Sequence, residues 1–256
     1  MLGWLKEKRR QRVLASTHID PQLWRQALDA LPLLDGMGAD ELGRRRDLAV
    51  LFLHEKALEP VGGFELTDAM RLRIGCLAAL PILNLGLDWY RNWYAVVVYP
   101  TGFRARRQHI DDADVVHDYE EELVGEAWER GPVLLSWEEV EASQELDGFN
   151  VTIHELAHKL DMLTGHPNGL PPLHRDMRVE AWSAAFSSAY DDLVRQVEAG
   201  EDTAIDPYAA EDPAEFFAVL SEAFFEQPWL VNEVYPDVYD QLRAFYRQDP
   251  ARRLRG

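Results

Sequence analysis

The chain has 256 residues, of which 47% are hydrophobic and 11% aromatic. That is enough for one large domain, or for a core with a smaller appended lobe. Acidic residues outnumber basic residues by 45 to 26, which gives a formal net charge of −19. A surface of that sign repels nucleic-acid phosphates and anionic lipid headgroups, so we expect no direct nucleic-acid binding and no membrane binding.

Cys76 is the only cysteine, so neither an intrachain disulfide nor a cysteine-based zinc cluster can form within one chain. The first residues, MLGWLKEKRRQR, place charge where a signal peptide needs an apolar segment of ~7–15 residues. No apolar run reaches the ~20 residues of a membrane-spanning helix. We therefore expect a reduced, cytoplasmic protein.

Basic side chains form three local clusters on this acidic chain. They are Lys6 to Arg10, Arg44-Arg45-Arg46, and the group Arg104, Arg106 and Arg107. Runs of like charge are usually solvated surface, and we expect that of these clusters rather than a binding patch.

Proline- and glycine-rich breaks divide the chain into short blocks. Periodicity and end signals predict helices over Pro21–Ala30, Ala39–Ala57, 67–80, Asn150–Gly165 (with Asn150 as N-cap), Arg178–Ala199 and Asp212–Gln227. β-branched residues predict two short buried strands, Tyr94–Tyr99 and Val133–Trp137. Between them, residues 103–130 are polar and acidic and are predicted to make a long excursion at the surface.

Helices dominate this pattern, so we predict an α+β fold that is predominantly helical, with no alternating βαβ units. We expect a helical N-terminal lobe over residues 1–90, packed as one unit on a core over residues 91–256. If Val133–Trp137 lies at the edge of the sheet, it would pair with an extended peptide backbone.

His154, Glu155 and His158 form an HExxH motif in the run NVTIHELAHKLDML. Two histidines four positions apart lie about 40° apart around a helix, within reach of one ion. Zinc is redox-inert and suits imidazole ligands, so we expect one catalytic Zn²⁺ per chain. The side chain of Glu155 is expected to lie next to the open coordination position, where it can take a proton from water. The surrounding helix is apolar nearly all round, so polar side chains on it need partners.

Asp161 lies on the same helix face as the two histidines. It could accept a hydrogen bond from a ligand imidazole and fix its tautomer. The alternative is an ordinary polar residue near the end of a helix.

A catalytic zinc needs a third protein ligand. Cys76 lies far upstream, and His166 and His174 lie in a proline-rich loop without the spacing of a third histidine ligand. The best donor is the helix DPAEFFAVLSEAFFEQ, where Glu215 and Glu222 are both candidates.

The spacing does not decide which of these two glutamates is the third ligand, because Glu215 also fits a capping box that begins at Asp212. Tyr208, seven residues before Glu215, would lie close to the metal if Glu215 binds it. Its phenol could then stabilise an oxyanion.

Further segments of the chain carry a family resemblance. They are Gly63 to Leu66, Leu80-Pro81, Leu85 to Trp89, Tyr99-Pro100, Gly131 to Leu135, Gly148 to Asn150, His154 to Asp161, Asp206 to Ala210, Asp212 to Glu215, Phe217 to Glu222 and Gln248 to Pro250. These segments occur in the same order and at the same spacing as in the Mlc titration factor A family of bacterial zinc-dependent peptidases, which the sequence therefore resembles.

The resemblance implies a gluzincin-type zincin fold, similar to lethal-factor-type metalloprotease domains. It implies that the metal ligands are His154, His158 and Glu215, with Glu155 as the catalytic glutamate and Tyr208 as the active-site tyrosine. Glu222 then becomes, like Asp161, a candidate outside the ligand set. The resemblance also implies aminopeptidase activity on small peptide substrates and binding of the transcriptional repressor Mlc.

Two other functions compete with a peptidase. A non-catalytic regulator could bind and sequester a repressor with a latent or structural zinc site, but a structural site gains nothing from a general base such as Glu155. A deformylase would need a cysteine ligand on a Gly-Cys strand, whereas Gly75-Cys76 falls in a predicted helix.

Overall fold

The computed structural model describes residues 2–110, 116–123, 125–127 and 131–254, and gives the backbone alone at residue 2 and within 103–127. Its helices are α1 (Leu2–Ser16), α2 (Pro21–Asp29), α3 (Ala39–Glu55), α4 (Asp68–Ala79), α5 (Trp137–Ala142), α6 (Val151–Asp161), α7 (Val179–Glu198), α8 (Pro213–Glu226), α9 (Pro228–Val234), α10 (Pro236–Tyr246) and α11 (Pro250–Arg253). Its strands are β1 (Ala57–Pro60), β2 (Ala95–Tyr99), β3 (Phe103–Ile110), β4 (Val116–Leu123), β5 (Gly125–Ala127) and β6 (Val133–Ser136).

The main sheet has the order β1-β2-β6-β5. β1, β2 and β6 are parallel, and β5 is antiparallel to β6. Because α4 connects β1 to the parallel strand β2, the described residues contain a βαβ crossover, which the sequence pattern did not predict. The reason is β1 itself, which is only four residues long, carries a proline, and has a single buried side chain. Such a strand is too short to show alternation in the sequence.

β6 does not lie at an edge of the sheet. It pairs with β2 on one side and with β5 on the other, and all four of its residues are buried. The edge beside it belongs to β5. Any extended peptide that adds to this side of the sheet therefore meets β5 rather than the strand predicted over Val133–Trp137.

The predicted helices and strands are present, with small shifts at their ends. α3 ends at Glu55 because the chain enters β1 at Ala57. α6 ends at Asp161 and continues as one 3₁₀ turn to Thr164, before Gly165 adopts a positive φ of 127°. Helices α1, α5, α9, α10 and α11 were not predicted. Within residues 103–130, β3 pairs with β4. The prediction that this segment lies at the surface concerns side chains that the structure does not describe.

Aromatic residues fix α8 in the centre of the molecule. Phe216, Phe217, Phe224 and Phe225 of α8 are at most 1% exposed. Trp182 of α7 stacks on Phe186 with 4.2 Å between ring centroids and contacts Phe217 at 5.9 Å. One hydrophobic cluster extends from Leu31 to Ala251, and the division into a lobe and a core at residue 90 stays a prediction. Within the described residues, no helix combines the length and apolar character needed to cross a bilayer.

Gly169 lies where the proline-rich loop touches the start of α8. Its φ is +76°, and a Cβ there would overlap the carbonyl oxygen of Pro213. Gly200 has a similar φ of +68°, but a Cβ there would meet nothing within 4 Å. Both positions disfavour a side chain through the backbone, and only Gly169 adds a steric overlap.

We therefore expect Gly169→Ala to destabilise the protein more than Gly200→Ala. The left-handed conformation alone costs about 1–2 kcal/mol, and the overlap adds roughly 1–3 kcal/mol at Gly169. Urea unfolding of both variants beside the wild type measures the difference. Equal midpoints for the two variants would mean that the loop yields without cost.

Candidate metal centre

Asn150 starts α6, as predicted. Its backbone is extended, and its side-chain Oδ1 accepts a hydrogen bond from the backbone N–H of Ile153 (3.1 Å). This bond satisfies one of the free N–H groups of the first helical turn. Because α6 begins here, His154 and His158 fall one and two turns into the helix, on the side that meets α8.

Asn150 also bonds to α8 through two buried glutamates. Its backbone N–H donates to Oε2 of Glu222 (2.5 Å), and its side-chain amide donates to Oε1 of Glu226 (2.8 Å). The N–H of Gly148 donates to the other oxygen of Glu226 (3.1 Å). Both glutamates are 1% exposed. These bonds fix the position of α6 along α8.

Two imidazoles and one carboxylate meet between the two helices. His154 Nε2 lies 3.1 Å from His158 Nε2 and 3.1 Å from Glu215 Oε2, and His158 Nε2 lies 3.3 Å from the same oxygen. The side chains of the histidines are 11% and 10% exposed, and that of Glu215 is 20% exposed. The three residues form a group that can hold a metal ion.

Glu222 lies on the far side of the first histidine. His154 Nδ1–H donates to Glu222 Oε1 at 2.6 Å. In the neutral imidazole, this bond leaves the Nε2 lone pair on the side of Glu215 and His158. Burial alone would lower the pKa of His154, but the neighbouring carboxylates, Glu222 foremost, raise it well above its usual value. Burial opposes the ionised form of Glu215, yet the two imidazoles hold the pKa of its carboxyl far below the ordinary range. A metal therefore competes with protons for this group.

Glu155 and Tyr208 both lie near His154. Glu155 is 3% exposed and lies one residue after His154 on α6. Its charge acts on Lys159, whose Nζ donates to the carbonyl of Gly131 (3.0 Å) and whose pKa burial lowers to about 8. Tyr208 follows Asp206 in a 3₁₀ turn, is 44% exposed, and has its ring centroid 6.2 Å from that of His154.

Asp161 has a structural partner. Its Oδ2 accepts hydrogen bonds from the N–H groups of Asn168 and Gly169, both at 2.7 Å, so it holds the proline-rich loop beside α8. In the part of the chain that is described, neither Asp161 Oδ1 nor His158 Nδ1 makes a hydrogen bond. A role for Asp161 beside a ligand imidazole stays a prediction.

The other residues considered as ligands lie elsewhere. His174 Nε2–H donates to the carbonyl of Phe245 (2.8 Å), and His166 Nδ1–H donates to that of Pro167 (3.0 Å). Cys76 is buried in α4, and burial raises the pKa of its thiol to about 11.

Sequence reasoning missed the bonds between Asn150 and the two glutamates of α8. Asn150 was recognised only as an N-cap, and Glu226 was given no role. The available signal was the spacing of Glu222 and Glu226, four residues apart in a helix that is otherwise nearly all apolar. Two carboxylates on one buried face need donors from a neighbouring element.

Comparison with known proteins agrees with this geometry. The family model described as glucose-regulated metallo-peptidase M90 matches residues 5–247. Mlc titration factor A of Yersinia enterocolitica is 43% identical over 236 residues, which cover 91% of this chain and 87% of the relative. The protein of that name from Pectobacterium atrosepticum is also 43% identical (90% and 88% covered), and that from Yersinia pestis is 40% identical (91% and 86%).

Glu222→Gln should weaken metal binding about 10–100-fold. Glutamine offers one acceptor oxygen where Glu222 uses two, so either His154 or Asn150 would face an NH₂ group. Competition with a chromogenic chelator measures the metal affinity. Glu233→Gln, an exposed residue of α9, is the matched control, and equal affinities in the two variants would contradict the role of Glu222.

Proposed function

Because the chain belongs to the glucose-regulated metallo-peptidase family M90, we propose that it is a zinc-dependent peptidase. His154, His158 and Glu215 are the proposed ligands, Glu155 the general base and Tyr208 the oxyanion donor. The proposal includes an aminopeptidase-like preference for small peptides, a gluzincin-type core similar to lethal-factor-type domains, and a cytoplasmic location.

The spacing of the three proposed ligand atoms is the observation that supports zinc as the bound metal. Neighbouring ligands of a tetrahedral ion lie about 1.6 bond lengths apart, which is roughly 3.3 Å for zinc bonds of ~2.0–2.1 Å. The distances among His154 Nε2, His158 Nε2 and Glu215 Oε2 are 3.1–3.3 Å. Two imidazoles and one carboxylate also match the donors of catalytic zinc, which keeps one position open.

Each residue has one task in peptide hydrolysis. A zinc ion held by these groups would lower the pKa of a coordinated water to ~7 and polarise the peptide carbonyl. Glu155 takes the proton of the attacking water and passes it to the leaving amine. Tyr208 donates its phenolic proton in a hydrogen bond to the oxyanion of the tetrahedral intermediate. Glu222 keeps His154 in the tautomer that binds metal through Nε2.

An extended substrate would add to the sheet at β5. β5 is the edge strand beside β6, and it contacts α6. An unpaired strand edge offers N–H and C=O groups to a peptide backbone, which supplies affinity without regard to side chains. The substrate backbone would then run past the face of α6 that carries Glu155.

Glu155→Gln tests the catalytic part of the proposal. We expect peptidase turnover to fall about 10²–10⁴-fold because the amide cannot accept the proton, while bound zinc, measured by elemental analysis, stays at one per chain. Tyr208→Phe should lower kcat by about 10²–10³ with zinc retained. Glu198→Gln, exposed on α7, should match the wild type. Full turnover by a zinc-loaded Glu155→Gln protein would remove Glu155 from the mechanism.

A second function, binding of a Mlc-like repressor, has support of a different kind. The relatives described above bear the name Mlc titration factor A, and the same role is proposed here. An alternative within it is a purely regulatory protein whose zinc site is latent or structural.

Capture of a purified Mlc-type repressor on immobilised protein separates these functions. If binding and hydrolysis are independent, the zinc-free protein and Glu155→Gln should both retain the repressor with unchanged affinity. Loss of capture together with zinc would tie the partner to the metal centre. No capture by the zinc-loaded wild type would remove the repressor from the proposal.

A further inference from the structure

Arg45 is a buried cation without a hydrogen-bonding partner. It lies on α3 and is 0% exposed, and among the described residues none of its three guanidinium nitrogens has a hydrogen-bond partner. Its neighbours Arg44 and Arg46 are exposed. The expectation that the whole run is solvated surface was therefore wrong for Arg45, because this position faces α2 and α4 rather than water.

The groups around Arg45 do not neutralise it. The ring of Trp24 lies 5.6 Å from its guanidinium carbon, a distance at which an aromatic face stabilises a cation only modestly. Cys76 also lies near, but burial raises the pKa of its thiol to about 11, so the thiol is neutral at pH 7. An ionised side chain that is buried without a counter-charge is strongly destabilising.

A second, half-buried arginine lies close to Arg45. Arg253 of α11 donates from Nη2 to the carbonyl of Leu33 (2.8 Å). In the described part of the chain, its Nε has no hydrogen-bond partner. Burial lowers the pKa of Arg253 to about 10, Glu41 opposes that shift, and the charge of Arg45 adds to it. Two like charges thus share a poorly hydrated region.

A cavity of about 450 Å³ opens beside Arg253. It is lined by Gly36, Glu41, Arg247, Gln248, Asp249, Pro250, Arg252 and Arg253. Its volume falls in the range of small-molecule sites. Glu41 lies one helical turn before Arg45 on α3, so the wall of the cavity adjoins the buried guanidinium.

The two carboxylates of the cavity already have donors. Glu41 accepts from the N–H of Gly38 (3.1 Å), as part of the cap of α3. Asp249 accepts from the hydroxyl of Tyr239 (2.8 Å) and from the N–H of Arg252 (3.2 Å). Arg247 pairs with Asp176, outside the cavity lining. Arg252, Arg253 and the buried Arg45 therefore stand against the two acids Glu41 and Asp249, and a negative ligand would complete the charge balance.

We propose that this cavity binds a small molecule through its oxyanion group, a phosphate or a carboxylate. Arg252 and Arg253 contact the oxyanion, since guanidinium forks match both groups. Arg45 adds its charge from behind the wall. None of the lining residues belongs to the metal centre, so the site is separate from the peptidase chemistry and does not depend on it. A ligand here would join α11 to the segment before α3.

Binding of inorganic phosphate by the full-length protein tests the site. Titration calorimetry should give saturable binding to the wild type, at least tenfold weaker for Arg45→Met and for Arg252→Met. Arg46→Met removes an exposed charge one residue from Arg45 and should change the affinity less than twofold. Acetate in place of phosphate distinguishes a carboxylate site from a phosphate site, because the preferred group binds more tightly.

Thermal unfolding at matched ionic strength gives a second readout. Above the dissociation constant, each tenfold rise in phosphate should add about 3–5 °C to the Tm of the wild type. Phosphate also stabilises proteins nonspecifically, and Arg45→Met and Arg252→Met should retain only that smaller effect. No saturable binding of either anion to the wild type, or an equal response in wild type and both variants, would overturn the proposal. Should Arg45→Met fail to fold, Arg252→Met alone decides.

Discussion

The carboxylate of Glu222 is the contact on which the candidate metal centre depends. One of its oxygens accepts the backbone N–H of Asn150, and the other accepts Nδ1–H of His154. The first bond sets where α6 begins against α8, and the second sets which imidazole nitrogen is free. Glu215 lies seven residues earlier on α8, two helical turns away, and so reaches both histidines from the opposite side. If α6 shifted along α8, the bonds to Glu222 and the meeting of three ligand atoms would be lost together.

This arrangement buries two glutamates side by side, which is destabilising unless hydrogen bonds or opposite charges compensate their negative charges. Burial, aided by the charge of Glu222, raises the pKa of Glu226 to about 8, which favours the neutral form of that carboxyl. The carboxylate of Glu222 lies against His154 and raises the pKa of that imidazole. Asn150 serves both glutamates at once, because its backbone and side-chain N–H groups point to different carboxylates. The same residue therefore caps α6 and bonds to both acids.

Local patterns in the sequence predicted the parts of this site that lie on one helix. His154, Glu155 and His158 share α6, and their relative positions follow from helical geometry alone. The choice between Glu215 and Glu222 could not follow in that way, because it depends on the register between two helices about 60 residues apart in the chain. β1 was missed because four residues carry no period, and its pairing with β2 is a long-range contact. Arg45 was misjudged because a run of three arginines looks solvated until the packing of α3 against α4 is known.

Buried ionisable side chains differ in their hydrogen bonding between the α6–α8 region and α3. Near α6 and α8, both oxygens of Glu222 and both of Glu226 have N–H donors, as expected of a folded interior. On α3, the guanidinium of Arg45 has none in the described structure, although arginine stays protonated at any pH at which the protein is folded. Replacing a buried arginine that has no hydrogen-bond partner with an apolar residue of similar size would increase the stability of the fold. An arginine kept in such a place, beside a second one and a cavity of suitable size, is best explained by an anion that arrives from outside the chain.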